Sequence, residues 1–238
     1  MLTTGISFIN FKVKSKISRV KKELRFLINQ KNQVIISLSK NYKNNFNKKI
    51  LNKYKKFINF QIIGMGGSIL GAKAIYDFLK YKIKKNFLFV DNLQATQKVD
   101  KKKKFVNLII SKSGNTTETI VNANILIKKK DRNIFITENK DSYLYLLAQK
   151  LKAEIIHHNN YIGGRYSVLS EVGMLPAELM GLKTNSFRQL NSLIKNKNFL
   201  NALVLNVSST LYFIKNKKFN SIIINYDEKS DNLFKWYQ

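Results

Sequence analysis

The chain has 238 residues, 44% of them hydrophobic, enough for a sizeable core and ordinary for a folded globular protein. It contains no cysteine, which excludes a disulfide framework and a thiolate metal site, and no run approaches the roughly 18 apolar residues of a membrane helix. Forty-three Lys and Arg against 14 Asp and Glu give a formal charge of +29, but the lysines are spread over nearly every segment and travel with Asn and Ile, as AT-rich coding produces; nucleic acid and membrane are therefore not expected partners, and the field favours a small anion.

The N-terminus lacks a basic head, apolar block and small-residue cleavage site, so a cytoplasmic location is expected. In "SRVKKELRFLINQ" Val20, Leu24, Leu27 and Ile28 recur at helical spacing, and a second helix rich in Lys and Asn follows, making 1–55 an N-terminal helical segment. The pattern then changes to short apolar runs separated by amphipathic stretches, as βα units produce. Strands are predicted near 57–63, 87–91, 105–110, 133–137 and 154–157, with helices near 68–80, 117–129 and 141–151. The fold class is α/β: a doubly wound, five-stranded parallel sheet of flavodoxin-like order over 56–184. The basic run 100–104 reads as a solvated turn. Helices near 170–182, 185–197 and 200–215 follow, and "SIIINY" at 221–226 reads as a buried strand opening a second βα layer within 185–238. The only proline, Pro176, is placed in the first turn of its helix.

Two strand-to-helix turns carry candidate chemistry. "GMGGSILG" at 64–71 lets backbone N–H groups approach an anion. As a dinucleotide fingerprint it fails at Ile69, although Asp91 stands where a ribose-binding acid would; a tight turn without a ligand is the third reading. "SKSGNTTET" at 111–119 brings Ser111, Ser113, Thr116 and Thr117 with Gly114 to a helix N-terminus, which suits a phosphate monoester, whereas plain helix capping needs one hydroxyl. In a 2-1-3-4-5 sheet these two loops border one crevice, where the strand order reverses. After the fifth strand, "NYIGGRYSVLSEVG" sets Arg165 behind two glycines that would let the chain bend sharply. The guanidinium either serves a developing oxyanion or pairs with Glu171 or Glu178.

The three motifs "GMGGSILG", "SKSGNTTET" and "YIGGRYSVLSEVGMLPAELMG", in this order, resemble the bacterial and archaeal form of the glucose-6-phosphate isomerase family, built on sugar isomerase (SIS) domains. The resemblance runs from about residue 60 onward. It implies an aldose–ketose isomerase interconverting glucose 6-phosphate and fructose 6-phosphate through a cis-enediolate, without metal or organic cofactor, homodimeric at full length. Carried over, Gly67 and Ser68 contact the sugar phosphate, and Ser111, Lys112, Ser113, Asn115 and Thr116 form the phosphate loop. Gly164 and Arg165 stand beside the reacting carbons, with Arg165 stabilising the enediolate. Glu118 and Gln238 match family positions near the site. The proton-shuttling glutamate is expected a few residues beyond Gln238, and the ring-opening histidine and a late lysine further on, so the chain is expected to be an inactive fragment. Neither His157 nor His158 takes the ring-opening role. The alternative is a non-catalytic phosphosugar-binding SIS domain or regulator.

Overall fold

Residues 17–30, 32–93 and 104–238 are described by a computed structural model. The run at 100–104 lies outside them except for Lys104. Chain packing gathers the molecule into two compact units, one of residues 1–42 with 188–224 and the other of 43–187 with 225–238.

The larger unit is organised by side chains that alternate across buried strands. Strands β1 (Asn59–Gly64), β2 (Asn86–Val90), β3 (Val106–Ile110), β4 (Arg132–Thr137) and β5 (Glu154–His157) form one parallel sheet in the order β2-β1-β3-β4-β5. Register sets Gly64 beside Ile110 and Ile110 beside Ile136. One face carries Phe60, Ile62, Leu108, Ile110, Ile134 and Ile136, and the other Ile63, Ile109 and Phe135, all fully buried. Each such side chain contributes about 1.5–3 kcal/mol on leaving water. Both faces are therefore covered, as parallel strands require.

The helices, numbered along the chain, begin with α1 (Ile17–Asn29), α2 (Gln33–Ser37) and α3 (Lys48–Tyr54), followed by α4 (Leu70–Phe78) after β1. Helices α5 (Thr117–Leu126) and α6 (Tyr143–Lys150) follow β3 and β4, and α7 (Glu171–Leu179) follows β5. Leu51 and Tyr54 of α3, Ala72 and Tyr76 of α4, and Val172, Leu175 and Leu179 of α7 cover the first face. Ala123 of α5 and Leu144 and Ala148 of α6 cover the second. The expected doubly wound sheet of five strands is therefore observed.

In the smaller unit α8 (Leu190–Leu193) and α9 (Lys197–Lys215) join α1. Arg188 is buried against Tyr42, its guanidinium 5.0 Å from the ring centre. An apolar recess of about 790 Å³ between α1 and α9 is lined by Val20, Leu24, Leu27, Val204, Val207 and Leu211 among others. Among the described residues no helix is long and apolar enough to cross a membrane.

Three expectations are corrected. Residues 221–226 form no strand: the segment is irregular, with Ile222 85% and Tyr226 94% exposed. A strand without a ladder partner loses backbone entropy for no hydrogen bonds, so apolar composition alone does not form one. The helix expected at 185–197 is reduced to a 3₁₀ turn at Thr184–Ser186 and the four residues of α8. Pro176 lies inside α7 rather than in its first turn. Ser170 starts that helix early, accepting from Val172 N–H at 3.5 Å, and the ring at Pro176 then withholds one helical donor. Finally, α10 (Asp231–Tyr237) packs against α4 within the larger unit, and Asn232 donates to Asp77.

Candidate functional site

At the carboxyl edge of the sheet three loops meet. The glycine loop leaves β1 and the hydroxyl loop leaves β3 from adjacent strands; a β-carbon on Gly64 would be 3.0 Å from the Ile110 carbonyl oxygen. The loop after β5 reaches both. Ser167 donates from its hydroxyl to the carbonyls of Gly67 (3.2 Å) and Gly164 (2.7 Å), while the Lys112 ammonium donates to the Asn160 carbonyl at 2.8 Å. Gly67, Ser68, Ser111, Lys112, Ser113, Asn115, Thr116, Gly164 and Arg165 thus all lie on three adjoining loops, the last of them bonded to each of the others.

The hydroxyl loop is built to expose donors. Gly114 has φ of +67°, where a side chain is strained, and a β-carbon there would fall 2.0 Å from the Ser142 hydroxyl. The bend lets Gly114 N–H donate to the Ser111 hydroxyl at 3.2 Å, and that hydroxyl sits 3.0 Å from the Thr116 hydroxyl. Thr116 is the N-cap of α5, yet its side chain does not cap. The α5 N-terminus is therefore left without a side-chain cap, positive at its end, beside two coupled hydroxyls and the exposed Ser113. Asn115 uses its Oδ1 to accept from Tyr143 N–H at 2.9 Å and so ties this loop to the start of α6. Glu118 stands half-buried in the first turn of α5.

Electrostatics divides the cations. Lys112 is held by Asn160 and by Glu138, whose carboxylate is 3.3 Å from Lys112 and 2.9 Å from Lys140. Burial works to raise the pKa of Glu138, but hydrogen bonds from Lys140 and Lys112 outweigh it and hold the carboxyl below its ordinary value. Arg165 is exposed, and its guanidinium makes no hydrogen bond or ion pair with another described residue. The pairing with Glu171 or Glu178 does not form: Glu171 accepts from Asn159 N–H at 2.6 Å, and Glu178 from the Thr184 hydroxyl at 2.6 Å. Asp91, the acid weighed for a ribose, is engaged by Lys73 at 2.8 Å.

The two glycines before Arg165 do not act as expected. Gly163 has an ordinary φ of −68°, and neither it nor Gly164 has positive φ. The tight position is Gly67, where a β-carbon would meet the Gly164 backbone at 2.3 Å. Sequence reasoning also missed Ser167 and the backward reach of Glu171. The Ser-Glu pair heading α7 was the available signal, since a buried acid at a helix start needs a donor. His158 is buried, its Nδ1 2.8 Å from the Asn159 carbonyl oxygen, and burial lowers its pKa. Gln238 ends α10, and its side chain bonds to no described residue. Among the described residues no cluster of His, Asp and Glu is placed to hold a metal.

The apolar recess between α1 and α9 offers few anion donors, so convergent polar groups rather than volume locate the site. The phosphoglucose isomerase family model matches residues 28–207. Glucose-6-phosphate isomerase of Methanocaldococcus jannaschii is 33% identical over 209 residues, covering 79% of this chain and 51% of that protein; the Acholeplasma laidlawii enzyme is 32% identical, covering 80% and 51%. The chain thus spans about half the length of these relatives. Among solved structures, a hypothetical protein from Thermus thermophilus superposes with a TM-score of 0.68 at 19% identity, covering 93% of this chain and 58% of that one. A glucose-6-phosphate isomerase from Chlamydia trachomatis gives 0.59 at 20% identity, covering 80% and 41%. These superpositions bear on the fold, and the family match extends over most of the sequence: the chain belongs to the phosphoglucose isomerase family.

Proposed function

We propose that the chain supplies the sugar-phosphate cradle and the enediolate-stabilising arginine of an isomerase that interconverts glucose 6-phosphate and fructose 6-phosphate. The observation that carries this reading is an uncapped, hydroxyl-lined helix N-terminus on a loop bonded through Lys112 to the loop of Arg165, whose guanidinium has no partner among the described residues. A phosphate dianion is stabilised by the N-terminal N–H groups of α5 and by the hydroxyls of Ser111, Ser113 and Thr116, with Gly67 and Ser68 opposite. Lys112 adds positive potential while holding the Asn160 carbonyl.

Isomerisation moves a proton between C2 and C1 with no net redox change, so a base and an oxyanion stabiliser suffice. Removal of the C2 proton puts negative charge on the enediolate oxygens, and Arg165 beside Gly164 offers a permanent cation with several donors there. The family resemblance assigns the base to a glutamate downstream of Gln238, and leaves Glu118 a supporting carboxylate near the phosphate. On this reading residues 185–238 lead into a second SIS subdomain, the full-length protein is a cytoplasmic homodimer, and no cofactor takes part.

Calorimetry tests the cradle. Fructose 6-phosphate should bind at least about tenfold more tightly than fructose, the discrimination expected when a charged phosphate group meets dedicated donors; equal binding of the two sugars removes the reading. An isomerase assay on glucose 6-phosphate then separates turnover from binding alone.

A further inference from the structure

Arg165 has no side-chain partner among the described residues, so the loop backbone alone decides where its guanidinium stands. That loop is clamped at its start. Asn159 N–H donates to Glu171 Oε1 at 2.6 Å, and the Asn160 carbonyl accepts from Lys112 at 2.8 Å. Ile162, fully buried, donates its N–H to the Asn159 carbonyl at 3.1 Å, which passes the clamp on toward the glycines. Glu171 is itself 0% exposed. A carboxylate in the first turn of a helix ordinarily faces solvent, where it complements the dipole at little cost, whereas a buried one must be satisfied by specific donors. Here the carboxylate turns back from α7 to a loop amide.

We propose that Glu171 is a positioning residue for Arg165: by accepting from the Asn159 amide it sets the loop so that the guanidinium meets charge at the reacting end of the sugar. The inference rests on the phosphosugar reading. It depends on the reach of the side chain rather than its charge, and two conservative substitutions separate these. Glu171→Gln keeps an oxygen at the same distance and loses the charge; Glu171→Asp keeps the charge and is one methylene short.

The probes are arabinonate 5-phosphate, whose carboxylate carries charge where the enediolate does, and arabinitol 5-phosphate, in which an alcohol replaces it. Calorimetry should show the unaltered chain preferring the carboxylate, Arg165→Ala losing that preference, and Glu171→Gln keeping it. Glu171→Asp should reduce the preference about tenfold or more, the scale on which ångström misplacement is felt, with arabinitol 5-phosphate affinity unchanged. Retained preference in Glu171→Asp, loss of it in Glu171→Gln, or an equal fall for both ligands overturns the proposal and leaves the phosphosugar reading standing. If the unaltered chain binds neither ligand, the phosphosugar reading fails and the positioning role fails with it.

Discussion

A β-carbon on Gly67 would lie 2.3 Å from both the carbonyl carbon and the carbonyl oxygen of Gly164, and 2.9 Å from its α-carbon. Backbone stands on both sides of this contact, so no side chain can swing away to relieve it. Gly67→Ala therefore forces the glycine and arginine loops apart and breaks the bond from the Ser167 hydroxyl to the Gly67 carbonyl that spans them. Overpacking of this kind costs about 1–3 kcal/mol, and the expected result is a melting temperature lower by several degrees together with weakened fructose 6-phosphate binding. Unchanged melting and binding would show that the contact is dispensable.

Arg165 predicts the opposite balance. Because the side chain is exposed and has no partner among the described residues, Arg165→Ala should change stability by no more than about 0.5 kcal/mol in a denaturant titration. Binding of an anionic enediolate mimic should nevertheless fall. A large stability loss would mean that the guanidinium is structural.

Ser111 carries both roles. Its hydroxyl is buried and accepts from Gly114 N–H, which also donates to the Ser111 carbonyl at 3.2 Å, so Ser111→Ala leaves that donor paired and should cost only about 0.5–1.5 kcal/mol, the net worth of one hydrogen bond. Thr116→Val removes the other half of the hydroxyl pair from a half-buried position and should cost less stability. Each variant should weaken fructose 6-phosphate binding measured by calorimetry. If neither does, the phosphate lies elsewhere.

His158 sets a pH dependence. Burial lowers its native pKa below the ordinary value of 6.5, so the folded state favours the neutral ring. The stability it contributes is present above pH 6.5 and is lost as pH falls from there through the native value, because the unfolded chain takes up the proton first. Glu138, also held below its ordinary value, adds a separate acid loss that begins only below about 4.5. Melting curves of His158→Asn should stay flatter than those of the unaltered chain just below pH 6.5. Parallel curves across that range would assign the acid sensitivity to other groups.

The five strands were legible because a short apolar run between amphipathic stretches is a local property: "FVNLII" and "NIFIT" read as strands before any partner is known, and β3 and β4 stand there. The hydroxyl loop was legible for a similar reason, since four hydroxyls and a glycine between a strand and a helix exceed what capping needs. "SIIINY" has the same composition as a buried strand and forms none, because pairing requires a neighbour that composition cannot provide. The sequence by itself determined the βα alternation, the positions of the three loops and the presence of a fixed cation on the last of them. Only the tertiary structure decided that Gly67 is the crowded glycine, that Lys112 bonds to Asn160, and that Glu171 holds Asn159 instead of Arg165. Periodicity and turn chemistry act between residues a few positions apart, whereas Gly67 and Gly164 meet through the folding of the whole sheet.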